Sequence, residues 1–193
     1  VSIEEQLTSV EHLIKVGKVK FFALSNEWPW GLMEFIRLAK VKNLPLVCTL
    51  QNSYNLLNRI VELGMTEIFF RENLSFFSYS PLAFGHLSGK YLKDPNAVGR
   101  VNLFPGYAQR YKRNGVNKAI EKYDALAKRR NISLADLALS FVYKQWFVTS
   151  TVIGATNIKQ LKQNISAYDL DIIDNELIEE IDEIHLQIMN PAP

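Results

Sequence analysis

A single cysteine, Cys48, stands in 193 residues, which excludes an internal disulfide framework. Its place in the apolar run LVCTL at 46–50 makes a buried, unreactive thiol the expectation. An excess of either charge is also lacking. The 22 basic and 20 acidic residues leave a net charge of +2, so composition gives no reason to expect a polyanion or nucleic-acid partner. No segment approaches the roughly 18 consecutive apolar residues of a membrane helix, and no basic stretch followed by an apolar one opens the chain, so a cytoplasmic address without a membrane partner is expected. His12, His86 and His185 lie far apart with no second histidine at ligand spacing, so no metal centre is expected. The order of residues suggests no Ser-His-acid set either. Neither G-x-G-x-x-G nor a Walker motif occurs, so a dinucleotide, if bound, is not held by a Rossmann fingerprint. Val1 opens almost directly into a helical pattern, which leads us to expect a further segment before it.

What is present is 48% apolar sequence, enough to fill one core as a single domain over residues 1–193. Helical spacing of apolar residues marks 3–16, with Gly17 as its stop, then 29–42 opened by Pro29, 59–71 and 115–130. Ser133 with Asp136 resembles a capping box for a helix to about 145, Thr156 would cap a helix at 158–167, and Asp174 a last one to about 188. Ile60, Leu63, Ile68 and Phe69 are the expected buried set of 59–71. Between these lie short apolar runs at 19–24, 46–50, 74–78 and 149–153. Helix and strand thus alternate four times, the arithmetic of an α/β fold with a parallel sheet.

In such folds chemistry collects on loops after the C-terminal ends of strands. There the chain places Ser25 and Asn26, Gln51, Tyr79 and Ser80, and Gly154 to Thr156. The stretch at 76–91 (FFSYSPLAFGHLSGKY) is the centre of interest, since an apolar strand breaks into small polar residues and then carries a cation. Pro81 is expected to end the strand and hold Ser80 extended. Gly85, Gly89, Pro95, Gly99, Pro105 and Gly106 then punctuate roughly 30 residues without periodicity, a length that suggests a lid or binding loop. Lys90 and Arg100 are its fixed cations, either solvated or aimed at an anion. Tyr79 is either a core ring or a ligand contact. Gly154, Thr156 and the face Gln160, Gln163 and Asn164 read either as an anion cradle at a helix N-terminus or as an ordinary capped helix with a polar outer face.

Five stretches in order, 17–26 (GKVKFFALSN), 51–59 (QNSYNLLNR), 79–83 (YSPLA), 88–91 (SGKY) and 154–164 (GATNIKQLKQN), resemble the motifs of the aldo-keto reductases. Among these the chain is most similar to the Tas-like and potassium-channel β-subunit-like branch. The resemblance implies the C-terminal half, about strands 5–8 and their helices, of a parallel (β/α)8 TIM-type barrel that holds NADP(H). It further implies that Ser25, Asn26 and Gln51 bond the nicotinamide carboxamide and that Tyr79 stacks on its ring. Ser80, Leu82, Lys90 and Arg100 would line the pyrophosphate, and Thr156, Gln160, Gln163 and Asn164 would hold the adenosine and its 2′-phosphate. The family's catalytic Asp, Tyr, Lys and His match no position of this sequence, and Tyr91, Tyr107 and Tyr111 lie in the wrong region to replace the tyrosine. The expected function is reduction of a small aldehyde or ketone when the barrel is complete, with the missing half or a second copy as partner. The alternative is a catalytically inactive NADP(H)-binding or partner-binding protein of the same fold.

Overall fold

A computed structural model describes residues 1–104, 106 and 108–193, so Pro105 and Tyr107 of the punctuated loop lie outside the described residues. The chain runs α1 (Ile3–Lys15), β1 (Ala23–Ser25), α2 (Pro29–Lys42), β2 (Thr49–Ser53), α3 (Met65–Glu72), β3 (Ser75–Tyr79), α4 (Lys90–Lys93), α5 (Arg100–Leu103), α6 (Val116–Arg129), α7 (Leu134–Tyr143), β4 (Ser150–Val152), α8 (Ile158–Asp169) and α9 (Asn175–Gln187). Short 3-10 turns at Ile60–Glu62, Ala83–Ser88 and Gln109–Lys112 fill three of the connections. The four strands form one sheet in the order β1-β2-β3-β4, and β1 pairs with β2 in parallel, Ala23 against Thr49 through Ser25 against Gln51. The α/β alternation expected from the sequence is therefore present.

Two compact units make up the chain. The first holds residues 1–52, 61–77 and 147–150. Its helix α1 starts where Ser2 Oγ accepts from the Glu5 N–H, and it stops at Gly17, whose φ of +74° only glycine adopts without strain. Helices α2 and α3 each end on an asparagine in the left-handed region, Asn43 and Asn73, the residue after glycine best suited to that conformation. The core of this unit contains Leu7, Leu32, Phe35, Ile36 and Ala39 together with three rings, Phe69, Phe76 and Phe147. Phe76 stacks on Phe69 at 4.9 Å between centroids and lies 6.0 Å from Phe147.

The second unit holds residues 53–60, 78–146 and 151–193. Helix α7, capped by Ser133 as expected, carries the most apolar face, and small residues let α8 approach it: Ser140 Oγ donates to the Ala167 carbonyl at 2.9 Å. Arg130, the residue that ends α6, donates to Glu180 of α9 at 2.7 Å and also pairs with Glu176. The C-terminal tail is tied down, since the Ala192 N–H donates to the Leu57 carbonyl and Asn190 Oδ1 accepts from the Arg59 N–H at 2.6 Å. The Arg59 guanidinium, almost buried, lies over Phe141 and pairs with Asp182 at 2.6 Å.

Several expectations need correction. The run at 19–24 becomes a strand only from Ala23, because β1 lies at the sheet edge and pairs through Ala23, Leu24 and Ser25. The second strand begins at Thr49 and not at 46, leaving Leu46 exposed. Cys48 is exposed, its thiol donating to the Phe22 carbonyl at 2.9 Å, so the apolar run around it does not bury it. The expected helix at 59–71 is a 3-10 turn and then α3, broken at Gly64 with φ +104°, and this turns Leu63 out to solvent. The punctuated loop is not free of secondary structure, since two 3-10 turns and the one-turn helices α4 and α5 lie within 83–112.

Candidate active site

In the first unit, β1 delivers Ser25 and Asn26 to its C-terminal end. The Asn26 N–H donates to the Gln51 carbonyl at 3.0 Å, and its Nδ2 to Ser25 Oγ at 3.2 Å, so all three expected residues meet here. Asn26 takes a left-handed φ of +57°. Next to Gln51, Asn52 donates to the Glu27 carbonyl at 2.9 Å, while its buried Oδ1 has no partner among the described residues.

In the second unit the turn after β3 gathers four left-handed residues within six positions. Ser80 (φ +57°), Ala83 (+48°), Phe84 (+55°) and Gly85 (+93°) all lie in the left-handed region. The three that are not glycine each carry a penalty of roughly 1–2 kcal/mol, which persists only where the surroundings over-determine the conformation. Ser80 is accordingly not extended before Pro81, because its carbonyl is pulled inward by the Ala83 N–H at 2.9 Å and by Asn55 Nδ2 at 3.0 Å. Tyr79 is half-buried at the strand end, its carbonyl accepting from the Tyr54 N–H.

The cations follow directly. Lys90 Nζ donates to the Val98 carbonyl at 3.1 Å and lies 4.8 Å from the centre of the Tyr91 ring. Arg100, exposed, stands over the Phe84 ring at 5.8 Å. Behind them His86 packs between Tyr91 (4.9 Å) and Tyr111 (5.0 Å), and Phe84 closes on Tyr111 at 5.6 Å. His86 Nε2 and the Tyr91 hydroxyl are buried with no partner among the described residues, and the Tyr111 hydroxyl is buried beside Asn55 and Ser53. Burial, with the Lys90 charge in second place, lowers the His86 pKa to about 4. Burial raises Tyr111 to about 12, partly offset by Arg110 and by the neighbouring Asn55 and Ser53.

A pH dependence follows from His86. An unfolded imidazole titrates near 6.5 and the folded one near 4, so between these values the unfolded chain takes up the proton first. The contribution to stability is complete above about pH 6.5 and is lost as the pH falls towards 4. The urea midpoint of the wild type should decline across that window more steeply than that of His86→Leu. Parallel curves for the two proteins would show that His86 is solvated.

At β4 the chain turns outward through exposed Gly154, Thr156 and Asn157 into α8. Asn157, not Thr156, caps this helix: its Oδ1 accepts from the Gln160 N–H at 2.9 Å. Thr156 instead donates through both its N–H and its hydroxyl to Gln160 Oε1, each at 2.9 Å, so Gln160 has its amide NH2 left to offer. Asn164 is buried and donates to the Gly154 carbonyl at 3.1 Å, fixing the loop from beneath. Gln163 turns to Asp136 (3.1 Å) and Ser133 instead. Gly154, Thr156, Gln160 and Asn164 are thus brought together, and Gln163 is drawn off to the start of α7. Apart from its chain neighbours, no atom of a described residue lies within 4 Å of where a Gly154 side chain would begin, so that face is open.

Sequence reasoning missed Asn55, Asn157 and the ring of Phe84. The adjacency of Asn157 to Thr156 left the true cap ambiguous. A buried asparagine such as Asn55 gives no periodic signal.

The chain is similar to known proteins over its whole length. The sequence model of the Aldo/keto reductase family matches residues 1–185. Protein tas of Escherichia coli K12 is 36% identical over 193 residues, covering 100% of this chain and 56% of that protein. An aldo-keto reductase of Babesia bovis is 37% identical over 198 residues, covering 99% of this chain and 70% of its own length. An L-glyceraldehyde 3-phosphate reductase of Escherichia coli O157:H7 is 28% identical over 186 residues, 54% of that protein. The chain spans little more than half the length of most of these relatives. With the family model covering nearly every residue, the chain belongs to the aldo/keto reductase family.

Proposed function

We propose that this chain binds NADP(H) and serves an aldo/keto reductase in which hydride passes to an aldehyde or ketone. The turn after β3 carries the reading. A left-handed backbone held under strain, followed within ten residues by Lys90 and then by Arg100, is arranged for a charged ligand. The residues fit the group. Lys90 and Arg100 supply charge for a pyrophosphate, half-buried Leu82 and Tyr79 supply apolar contact, and the open face at Gly154 with Thr156 and Gln160 suits the adenosine end. Exposed Lys159 beside Gln160 favours a 2′-phosphate. The role of Ser25, Asn26 and Gln51 towards a carboxamide rests on the family resemblance.

NADPH, when bound, supplies the hydride, and the chain's own residues bind and orient it. No residue here matches the family's proton donor, so turnover is proposed only for a barrel completed by the strands that correspond to its first half. Fluorescence titration of this chain decides the binding reading. NADPH should bind more tightly than NADH, and Tyr79→Ala should weaken NADPH by about tenfold, since loss of a stacked ring forfeits roughly 0.5–1.5 kcal/mol beyond its contact area. Equal affinities for the two cofactors would overturn the preference. Failure of both to bind would overturn the reading.

A further inference from the structure

We propose that Asn55 is a positioning residue that sets the conformation of the phosphate-facing turn at 80–85, an inference that rests on the NADP(H) reading above. Asn55 is fully buried, an unusual place for a side-chain amide unless every polar group on it is used. Its backbone is closed on Asn58 in both directions, N–H to carbonyl at 3.0 Å and carbonyl from N–H at 2.9 Å. Its Oδ1 accepts from the Leu57 N–H at 2.9 Å. These three bonds fasten the residue to its own turn and leave one group to reach outward, Nδ2, which donates to the Ser80 carbonyl at 3.0 Å and also neighbours the Tyr111 hydroxyl. One residue earlier, the Tyr54 N–H holds the Tyr79 carbonyl at 3.3 Å. Two consecutive residues therefore grip two consecutive carbonyls at the end of β3.

The consequence is directional. The Ser80 carbonyl accepts from Asn55 on one side and from the Ala83 N–H on the other, so both its lone pairs are committed and its plane cannot rotate. With the Tyr79 carbonyl held by the Tyr54 N–H as well, the peptide planes on both sides of the Ser80 Cα are fixed, which holds its φ at +57°, and the left-handed residues Ala83, Phe84 and Gly85 follow. The turn in turn carries Leu82 and sets the ring of Phe84 under Arg100. Without the Asn55 amide, an unassisted serine relaxes towards an ordinary conformation and the turn loses its form.

Asn58 is the natural control. It is buried in the same turn and accepts from the Ile60 N–H at 3.3 Å, yet nothing in it reaches Ser80. Asn55→Ala and Asn58→Ala in the 193-residue chain are compared by amide hydrogen exchange and by binding of NADPH and of 2′,5′-ADP, which carries the adenosine and 2′-phosphate but no nicotinamide nucleotide. Asn55→Ala should speed exchange at Ala83, Gly85 and Leu87 and weaken NADPH by about tenfold, the expected result of losing one buried hydrogen bond, with 2′,5′-ADP affinity unchanged. Asn58→Ala should lower the denaturation midpoint without either effect. Unchanged exchange at 83–87 in Asn55→Ala, or a loss shared equally by NADPH and 2′,5′-ADP, would overturn the proposal. If the wild type binds neither nucleotide, the NADP(H) reading fails while the exchange comparison still decides what Asn55 does.

Discussion

Phe76→Ala should cost about 3–5 kcal/mol, the range for removing a fully buried phenyl ring without collapse of the space it leaves. The ring is 0% exposed, stacks on Phe69 at 4.9 Å with an interplanar angle of 18°, and lies 6.0 Å from Phe147. Its backbone is fixed on the side of residue 149, the Thr149 N–H donating to the Phe76 carbonyl at 2.9 Å and Thr149 Oγ1 accepting from the Phe76 N–H. The strand therefore cannot shift to close the cavity, which places the expected cost towards the upper end. Phe21, 78% exposed, is the comparison: Phe21→Ala should change stability by no more than about 0.5 kcal/mol. Urea denaturation of the two variants checks both values. A small effect at Phe76 would mean that Phe69 and Phe147 repack over the gap.

The longer helices were legible because their signals are local and repeated. Pro29 opens α2 and the apolar spacing carries it to Lys42, the bounds expected from sequence. Ser133 and Asp174 cap α7 and α9 as expected, the Asp174 Oδ1 accepting from the Leu177 N–H at 2.7 Å. The first two strands begin four and three residues later than expected, and the last two differ by one residue at each end. An apolar run marks where a chain can be buried, but a strand exists where a neighbour supplies hydrogen bonds, and that neighbour is set by the sheet. Thus the run at 46–50 lies mostly before β2, whose own residues Gln51, Asn52 and Ser53 are polar.

The residue types at the strand ends were legible and their hydrogen bonding was not. Gly154, Thr156, Gln160 and Asn164 come together where α8 begins, but which atoms are spent internally depends on neighbours elsewhere in the sequence. Gln163 is committed to Asp136, 27 residues earlier, and Asn164 to the Gly154 carbonyl. The Ser80 conformation is the clearest case. Pro81 alone argues for an extended Ser80, and the opposite holds because Asn55, 25 residues upstream, holds its carbonyl. A local rule yields there to one buried amide.

Gly99→Val should weaken NADPH binding by about tenfold or more if one charge-assisted bond to phosphate is lost. Gly99 is extended, so its backbone would accept any residue, and the constraint is one of space. A side chain begun there would run into the Tyr91 hydroxyl and Lys90 Nζ, and would meet Lys90 Cε at 3.1 Å. Lys90 is held on two sides, since a side chain at Gly85 would also meet its Cε at 3.1 Å. The lysine thus threads between two glycines to reach the Val98 carbonyl, and valine at 99 closes one wall of that passage. Lys90 can swing out at little cost in stability because it is a flexible chain, whereas the Tyr91 ring, packed on His86 at 4.9 Å, cannot move as freely. The expected pattern is a large rise in the NADPH dissociation constant with a modest fall in the denaturation midpoint, and a matching rise in Lys90→Met, which keeps the volume and removes the charge. Wild-type affinity in Gly99→Val would show that Lys90 does not need this passage to meet phosphate. Loss of affinity in Gly99→Val alone, with Lys90→Met unaffected, would move the role from Lys90 to Tyr91.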